Sequence, residues 1–322
     1  MARYYRSDLE QNVPVSTEIT GYAVSAFSYL HAISGDPAYR DAAIGSARFL
    51  ANDAWDPKAH TFPFEIASGL AYFFDVGIIV RGLLSTGAAE FCERANEGGL
   101  SLAFDFIGDG VFHPVVTLPD KQPLPYERQW SRSPGCYQLK SAAAWLAIGD
   151  QHGSRMFDAA LAAALRTQES FLPGDADLNA VMDRLHPYLY FLEALLFRAD
   201  RPECAAVLAS GIKRVAELLR AIAPQFERSD VCAQLLRVRL AAHHLHAVPL
   251  DEASAAEEAE RVAGYQARSD DARLDGGFWF GRKGGETLPY MNPVSTAFSL
   301  QALVLWEQHR AGNWQFEVAQ LI

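Results

Sequence analysis

Two carboxylates stand out because each interrupts an apolar helix start: Glu18, in Ser16-Thr17-Glu18-Ile19-Thr20-Gly21-Tyr22, and Asp75, in Tyr72-Phe73-Phe74-Asp75-Val76-Gly77. A pair of carboxyls can act as general acid and general base on a glycosidic bond, and their separation decides between retention and inversion. Burial raises a carboxyl pKa, so a desolvated Glu18 would hold a proton near neutral pH. Tyr137, Tyr188 and Tyr290 are tyrosyl alternatives for elimination or epimerisation. His186, in Asp183-Arg184-Leu185-His186-Pro187-Tyr188, completes the catalytic candidates as a base.

Around these lie groups suited to holding a sugar. Trp130 and Trp279 offer flat apolar faces that stack on sugar rings. Tyr22, Glu127, Gln234 and Asn292 suit hydroxyls, and Arg81, Arg132 and Arg282 suit a carboxylate. Each nomination has a structural alternative. Glu18 and Asp75 also suit helix N-terminal amides, or bridges to Arg81 or Arg132. The two tryptophans also suit packing plugs, and His186 suits orienting its loop.

Other polar clusters point away from metals and cofactors. His243-His244-x-His246 falls at the far end of a helix, as a surface feature. Asp270-Asp271 with Asp275 reads DDxxxD in a loop, unlike the DDxxD helix motif of a magnesium-dependent terpene synthase. The four cysteines form no CxxC pair and read as free buried thiols. There is no P-loop, GxGxxG, GxSxG or HExxH. The expectation is no metal and no cofactor.

The elements that must position these residues are helices of two alternating kinds. Apolar nearly all round, and therefore buried all round, are the stretches from Thr17 or Glu18 to Leu30, Phe73–Leu84, Pro134–Ile148, Pro187–Phe197, Asp230–His244 and Pro293–His309. Between them run helices with one apolar and one charged face: Pro37–Asn52, Ala88–Phe106, Ser154–Phe171, Arg201–Ala223 and Asp251–Ala267. Pro134, Pro187 and Pro293 sit just inside helix starts, Asp36 opens an outer helix, and Ser229-Asp230 suits a cap. No strand alternation exceeds Gly277–Phe280.

Six buried helices with charged helices between them are the signature of an all-α, (α/α)6 toroid, six hairpins in inner and outer rings. The N-terminal segment would complete the last pair. The inner-helix N-termini and their loops then converge on one funnel, where the candidates above collect. With no linker or low-complexity tract, residues 1–322 read as one domain.

Composition limits the partners. The 322 residues are 50% apolar with a net charge of −11, which disfavours nucleic acid and anionic membranes. No signal-peptide pattern or membrane-length apolar run is present, so a cytoplasmic protein is expected. The expected partner is a small-molecule or oligosaccharide substrate, and the sequence gives no oligomeric state.

A family resemblance rests on three segments. Thr17-Glu18-Ile19-Thr20-Gly21-Tyr22, Phe74-Asp75-Val76-Gly77 with Arg81-Gly82-Leu83-Leu84, and Asn292-Pro293-Val294-Ser295-Thr296-Ala297-Phe298 resemble helix starts of bacterial six-hairpin toroid proteins linked to polysaccharide metabolism. Phe74-Asp75-Val76-Gly77 is also similar to the HDxG helix start of unsaturated glucuronyl hydrolases, which implies a catalytic role for Asp75. Phe74 replaces that family's histidine, and the second aspartate would be Asp183, one hairpin later than expected. Gln266 with Gly276-Gly277-Phe278-Trp279 resembles one QW-type repeat of terpenoid cyclases, which share the toroid, but their DxDD motif is absent. The funnel residues, together with these resemblances, point to a carbohydrate-active enzyme acting on an acidic or hydroxylated sugar by general acid/base chemistry in the funnel, as hydrolase, lyase or epimerase. A non-catalytic glycan-binding toroid and a terpenoid-cyclase-like enzyme are the alternatives.

Overall fold

The structure is a computed structural model describing residues 1–172, 178–223 and 225–322, with the backbone alone at 178 and 179. The described residues contain eleven α-helices and fall into two compact units. One comprises Met1–Ala2, Pro14–Glu169 and Ile322, and the other Arg3–Val13 and Ser170–Leu321.

The first unit is three helical hairpins: α1 (Thr17–Ser34) with α2 (Pro37–Arg48), α3 (Phe73–Ser85) with α4 (Cys92–Phe104), and α5 (Gln138–Ile148) with α6 (Gln151–Thr167). The all-round apolar helices α1, α3 and α5 pack side by side, and α2, α4 and α6 each cover one of them. Local chemistry sets the boundaries. Ser16 Oγ accepts from the Ile19 amide at the start of α1, and Gly35, at φ +71°, ends it. Asp36 accepts from the Ala38 amide with Pro37 in the first turn of α2.

Glycines bring the buried helices together. A Cβ on Gly82 would lie 2.5 Å from Gly21 O, and one on Gly77 2.5 Å from Ser141 Cβ. Ser141 Oγ also donates to Phe74 O at 2.7 Å, closing the α3–α5 seam. Gly77→Ala and Gly82→Ala are therefore expected to cost about 1–3 kcal/mol each through overpacking. Gly45→Ala, on an exposed face of α2 with nothing within 4 Å of the new Cβ, should be neutral or stabilising by up to about 1 kcal/mol. Chemical denaturation of the three variants checks this contrast.

The second unit holds α7 (Leu178–Leu195) with α8 (Pro202–Ile222), α9 (Ser229–His244) with α10 (Glu252–Ala263), and α11 (Pro293–Arg310). Helix α9 packs on α7, α10 and α11. Strands Tyr5–Arg6 and Gln11–Asn12 form a hairpin whose first strand pairs with Tyr290–Met291, the segment leading into α11. Strands Phe226–Arg228, Gly281–Lys283 and Glu286–Thr287 form a second sheet that feeds the start of α9.

Several sequence expectations need correcting. The fourth buried helix does not begin at Pro187: α7 already runs from Leu178 and carries Pro187 inside it. A mid-helix proline forfeits one backbone hydrogen bond, and burial of α7 against α8 and α9 outweighs that loss. Asp183 and His186 are therefore helical residues, and the loop-orienting reading of His186 lapses. The third buried helix begins at Gln138, not Pro134, and Gln138 Oε1 accepts from the Gly135 amide just before it. Ser229 and Asp230 do not cap α9. Ser229 Oγ donates to Trp279 O, and Asp230 is taken by Arg228. The N-terminal segment forms strands instead of an outer helix, and short strands occur that the hydrophobic alternation did not show. No helix among the described residues is long and apolar enough to cross a membrane.

Candidate active site

In the first unit, the helix-start pattern places Asp75 in the first turn of α3, buried, with Arg81 buried one and a half turns on. Glu18 is half-buried in the first turn of α1, and Tyr22 is buried one turn later. Tyr137 precedes α5. Its hydroxyl donates to Ser133 O at 3.1 Å, while its ring meets Trp130 edge-on at 5.1 Å and Phe74 at 6.0 Å. Glu127 accepts from Arg132 at 2.6 Å, and Arg132 also engages the Tyr72 hydroxyl. Trp130, Tyr137 and Phe74 thus form one aromatic cluster, and Arg132 is shared between Glu127 and the Tyr72 hydroxyl.

In the second unit, a buried polar network is centred on His186. Its Nδ1 lies 2.7 Å from Gln234 Oε1 and 3.6 Å from Asp230 Oδ2. Asp230 accepts two hydrogen bonds from Arg228, at 3.0 and 2.6 Å. On the other side, Gln234 Nε2 faces Glu193 Oε2 at 3.5 Å, and Glu193 Oε1 accepts from Arg237. Arg237 donates also to Gln301 Oε1 at 2.9 Å and lies 3.9 Å over the Phe298 ring. Glu193 and Arg237 are fully buried, whereas His186 keeps a tenth of its side chain exposed. The imidazole packs against the Tyr190 ring at 4.4 Å.

Burial lowers the His186 pKa to about 4; Asp230 opposes the shift and Arg228 adds to it. The ring is therefore neutral at pH 7. For Asp230, burial favours the neutral acid, but Arg228 and His186 more than offset it and hold the carboxyl below its usual range. Because the unfolded chain protonates His186 near pH 6.5 and the folded chain only near 4, the unfolded state binds more protons across that window. Stability contributed by the neutral ring is thus present above pH 6.5 and lost as pH falls toward 4, by roughly 3 kcal/mol in all. Denaturation midpoints for wild type and His186→Asn should diverge over that interval.

Arg228 lies 4.8 Å over Phe280, which stacks on Tyr290 at 4.9 Å. Burial raises the half-buried Tyr290 phenol above its usual pKa, so it stays protonated. Trp279 is half-buried and bridges through its backbone to Met291. Four second-unit nominations are engaged elsewhere. Gln234 is wholly buried and its amide is spent on His186 and Glu193, so it does not read hydroxyls as expected. Asn292 caps α11 by accepting from the Val294 amide. Arg282 donates to Gly264 O and lies over Tyr265. Tyr188 is buried against Phe191.

Sequence reasoning did not single out Glu193, Arg237 or Gln301. The available signal was charge inside helices apolar on every side, because such charges must be paired. The histidines at the end of α9 make a hydrogen-bonded chain: His244 Nε2 meets His309 Nδ1 at 3.1 Å, and His309 Nε2 meets Glu252 at 2.9 Å. Among the described residues, no group of three His, Cys, Asp or Glu is arranged to hold a metal ion.

No family model and no curated protein sequence matches this chain. Solved structures do. Cellobiose 2-epimerase from Bacillus thermoamylovorans B4167 aligns with a TM-score of 0.72 at 10% identity, over 95% of this chain and 92% of that one. Cellobiose 2-epimerase from Spirochaeta thermophila DSM 6192 aligns at 0.68 and 13% identity, over 92% and 87%. A D-mannose isomerase aligns at 0.69 and 9% identity, over 97% and 91%. The likeness shows the fold: the chain is an (α/α)6 toroid.

Proposed function

We propose that this protein is a carbohydrate-active enzyme that interconverts a neutral aldose and its ketose by proton transfer at the carbon beside the carbonyl. The observation that carries the reading is the His186 side chain, whose Nδ1 is engaged by Gln234 and which keeps a tenth of its surface exposed. A neutral imidazole with one nitrogen occupied is a general base at the other. In the open-chain sugar, Nε2 takes the proton from C2. The C–H electrons form the C1=C2 bond, and the carbonyl oxygen gains a proton, giving the enediol. The enediol then passes its O2 proton back to the group that protonated the carbonyl oxygen, forming the C2 carbonyl, as His186 returns its own proton to C1, giving the ketose. Epimerisation would instead need a second proton donor on the opposite face of C2, with the O1 proton lost to restore the C1 carbonyl.

The Tyr290 phenol, held in its protonated form and within the field of Arg228 and Asp230, is the proposed donor to the sugar oxygen. Trp279 is the proposed stacking surface. His186 is the imidazole of this cluster, and one base suffices for transfer from C2 to C1 on one face, which favours isomerisation over epimerisation. The similar proteins include sugar epimerases and a D-mannose isomerase, which is consistent with this chemistry.

A neutral substrate is favoured over a uronate by the partners of the arginines. Arg228 is neutralised by Asp230, Arg237 by Glu193, Arg239 by Glu258 and Arg132 by Glu127, while Arg282 caps a helix end. At Arg228, Arg237, Arg239 and Arg132 an anion would have to displace the partner carboxylate. The test is a panel of aldoses, reducing disaccharides and uronates incubated with the enzyme and resolved by chromatography. Conversion of a neutral aldose, lost in His186→Asn, is expected. Conversion of uronates alone, or loss in Asp75→Asn but not in His186→Asn, would move the chemistry to the carboxylates of the first unit.

A further inference from the structure

We infer that Gln234 is a positioning residue that locks His186 in the tautomer protonated at Nδ1, and that Glu193, itself held by Arg237, sets the direction of the lock. The inference rests on the isomerase reading only for its catalytic consequence; the lock itself follows from hydrogen-bond polarity. An amide side chain can be turned either way, and its orientation is fixed by what it faces. Glu193 is ion-paired with the Arg237 guanidinium at full burial, and a carboxylate in an ion pair only accepts.

The end of Gln234 facing Glu193 must therefore be the donating Nε2, since the reverse orientation would set two acceptors against each other at 3.5 Å in a dry interior. That leaves Oε1 against His186 Nδ1 at 2.7 Å. An amide oxygen accepts and cannot donate, so Nδ1 must carry the proton. Asp230, the other acceptor near Nδ1, reinforces the same choice from 3.6 Å. A neutral imidazole protonated at Nδ1 has its lone pair at Nε2.

The groups on this path come from two helices. His186 and Glu193 lie on α7, and Gln234 and Arg237 on α9. Gln301 of α11 anchors the far end, because its Oε1 accepts from Arg237 while its Nε2 donates to Gln320 O. The direction of every bond from the Gln320 carbonyl to the imidazole is thereby specified.

The test is ¹⁵N NMR of the full-length, histidine-labelled protein at pH 7, with His186 assigned by its disappearance in His186→Asn. The wild type is expected to show a protonated Nδ1 and an unprotonated Nε2. Gln234→Met, similar in size but unable to accept in this way, should shift His186 toward the Nε2-protonated form and lower kcat more than it raises KM. A wild-type signal protonated at Nε2, or an Nδ1-protonated tautomer unchanged in a folded Gln234→Met, overturns the inference. If that variant does not fold, Asp230→Asn decides: an Nδ1-protonated ring that persists there is held by Gln234, and one that switches to Nε2 is held by Asp230, which overturns the inference. An Nδ1-protonated ring in a protein that converts no sugar keeps the lock and removes the isomerase reading.

Discussion

Replacing His186 with asparagine is expected to lower turnover by roughly 10²–10⁴-fold, the usual contribution of a positioned general base, while the protein stays folded. Asparagine can still donate an amide hydrogen to Gln234 Oε1, so the network bordering Glu193 and Arg237 keeps its polarity. The substitution also removes a group whose burial lowers its pKa to about 4, so the variant should gain relative stability below pH 6. Activity and stability then move in opposite directions at mildly acidic pH, an outcome that general unfolding would not produce. Circular dichroism beside the conversion assay distinguishes the two.

The second large effect is expected at Arg237. This guanidinium and its Glu193 partner are fully buried, and removing one member of a buried pair leaves the other charge uncompensated. Arg237→Met should therefore cost about 3–5 kcal/mol, a large share of the 5–15 kcal/mol typical of a folded protein. The double variant Arg237→Met/Glu193→Leu buries no stranded charge and should recover most of that loss, because hydrophobic replacement of a buried pair is often neutral. If the pair were dispensable, the single variant would match wild type in urea titration. If instead the loss came only from the shape of the arginine, the double variant would be no better than the single.

The helical architecture was largely legible in the sequence because burial on every side and burial on one side leave different hydrophobic patterns. Helix α1, with Ser16 before it and Gly35 after it, is an example in which pattern and capping chemistry agree. Proline misled the reading of α7. A proline is equally compatible with a first turn and with a tolerated interior position, and the packing that decides between them involves α8 and α9, distant in the chain. That displacement put His186 in a loop when it lies on a buried helix face.

Some members of the candidate cluster were visible in the sequence as single residues, but the network was not. His186, Gln234 and Tyr290 were visible as polar groups near apolar helices, and Asp230 only as a helix cap. The role of Gln234 was not, because a glutamine that reads a hydroxyl and one that fixes an imidazole look alike until their neighbours are known. Glu193 and Arg237 are 44 residues apart, and each alone resembles an ordinary charged helix residue. Only the fold shows that both are dry and that they answer each other.

The most direct test of the central claim is solvent exchange. A reducing neutral aldose is incubated with the enzyme in D₂O, and the C1 and C2 positions are followed by proton NMR. Proton transfer by His186 would bring solvent deuterium into the carbon positions beside the carbonyl as ketose appears, and this incorporation should vanish in His186→Asn. Unless transfer within the active site is faster than exchange, ketose appears labelled; in that limit it appears unlabelled but still depends on His186. Conversion that survives in His186→Asn, or absence of both exchange and conversion across aldoses that demonstrably bind, would contradict the account.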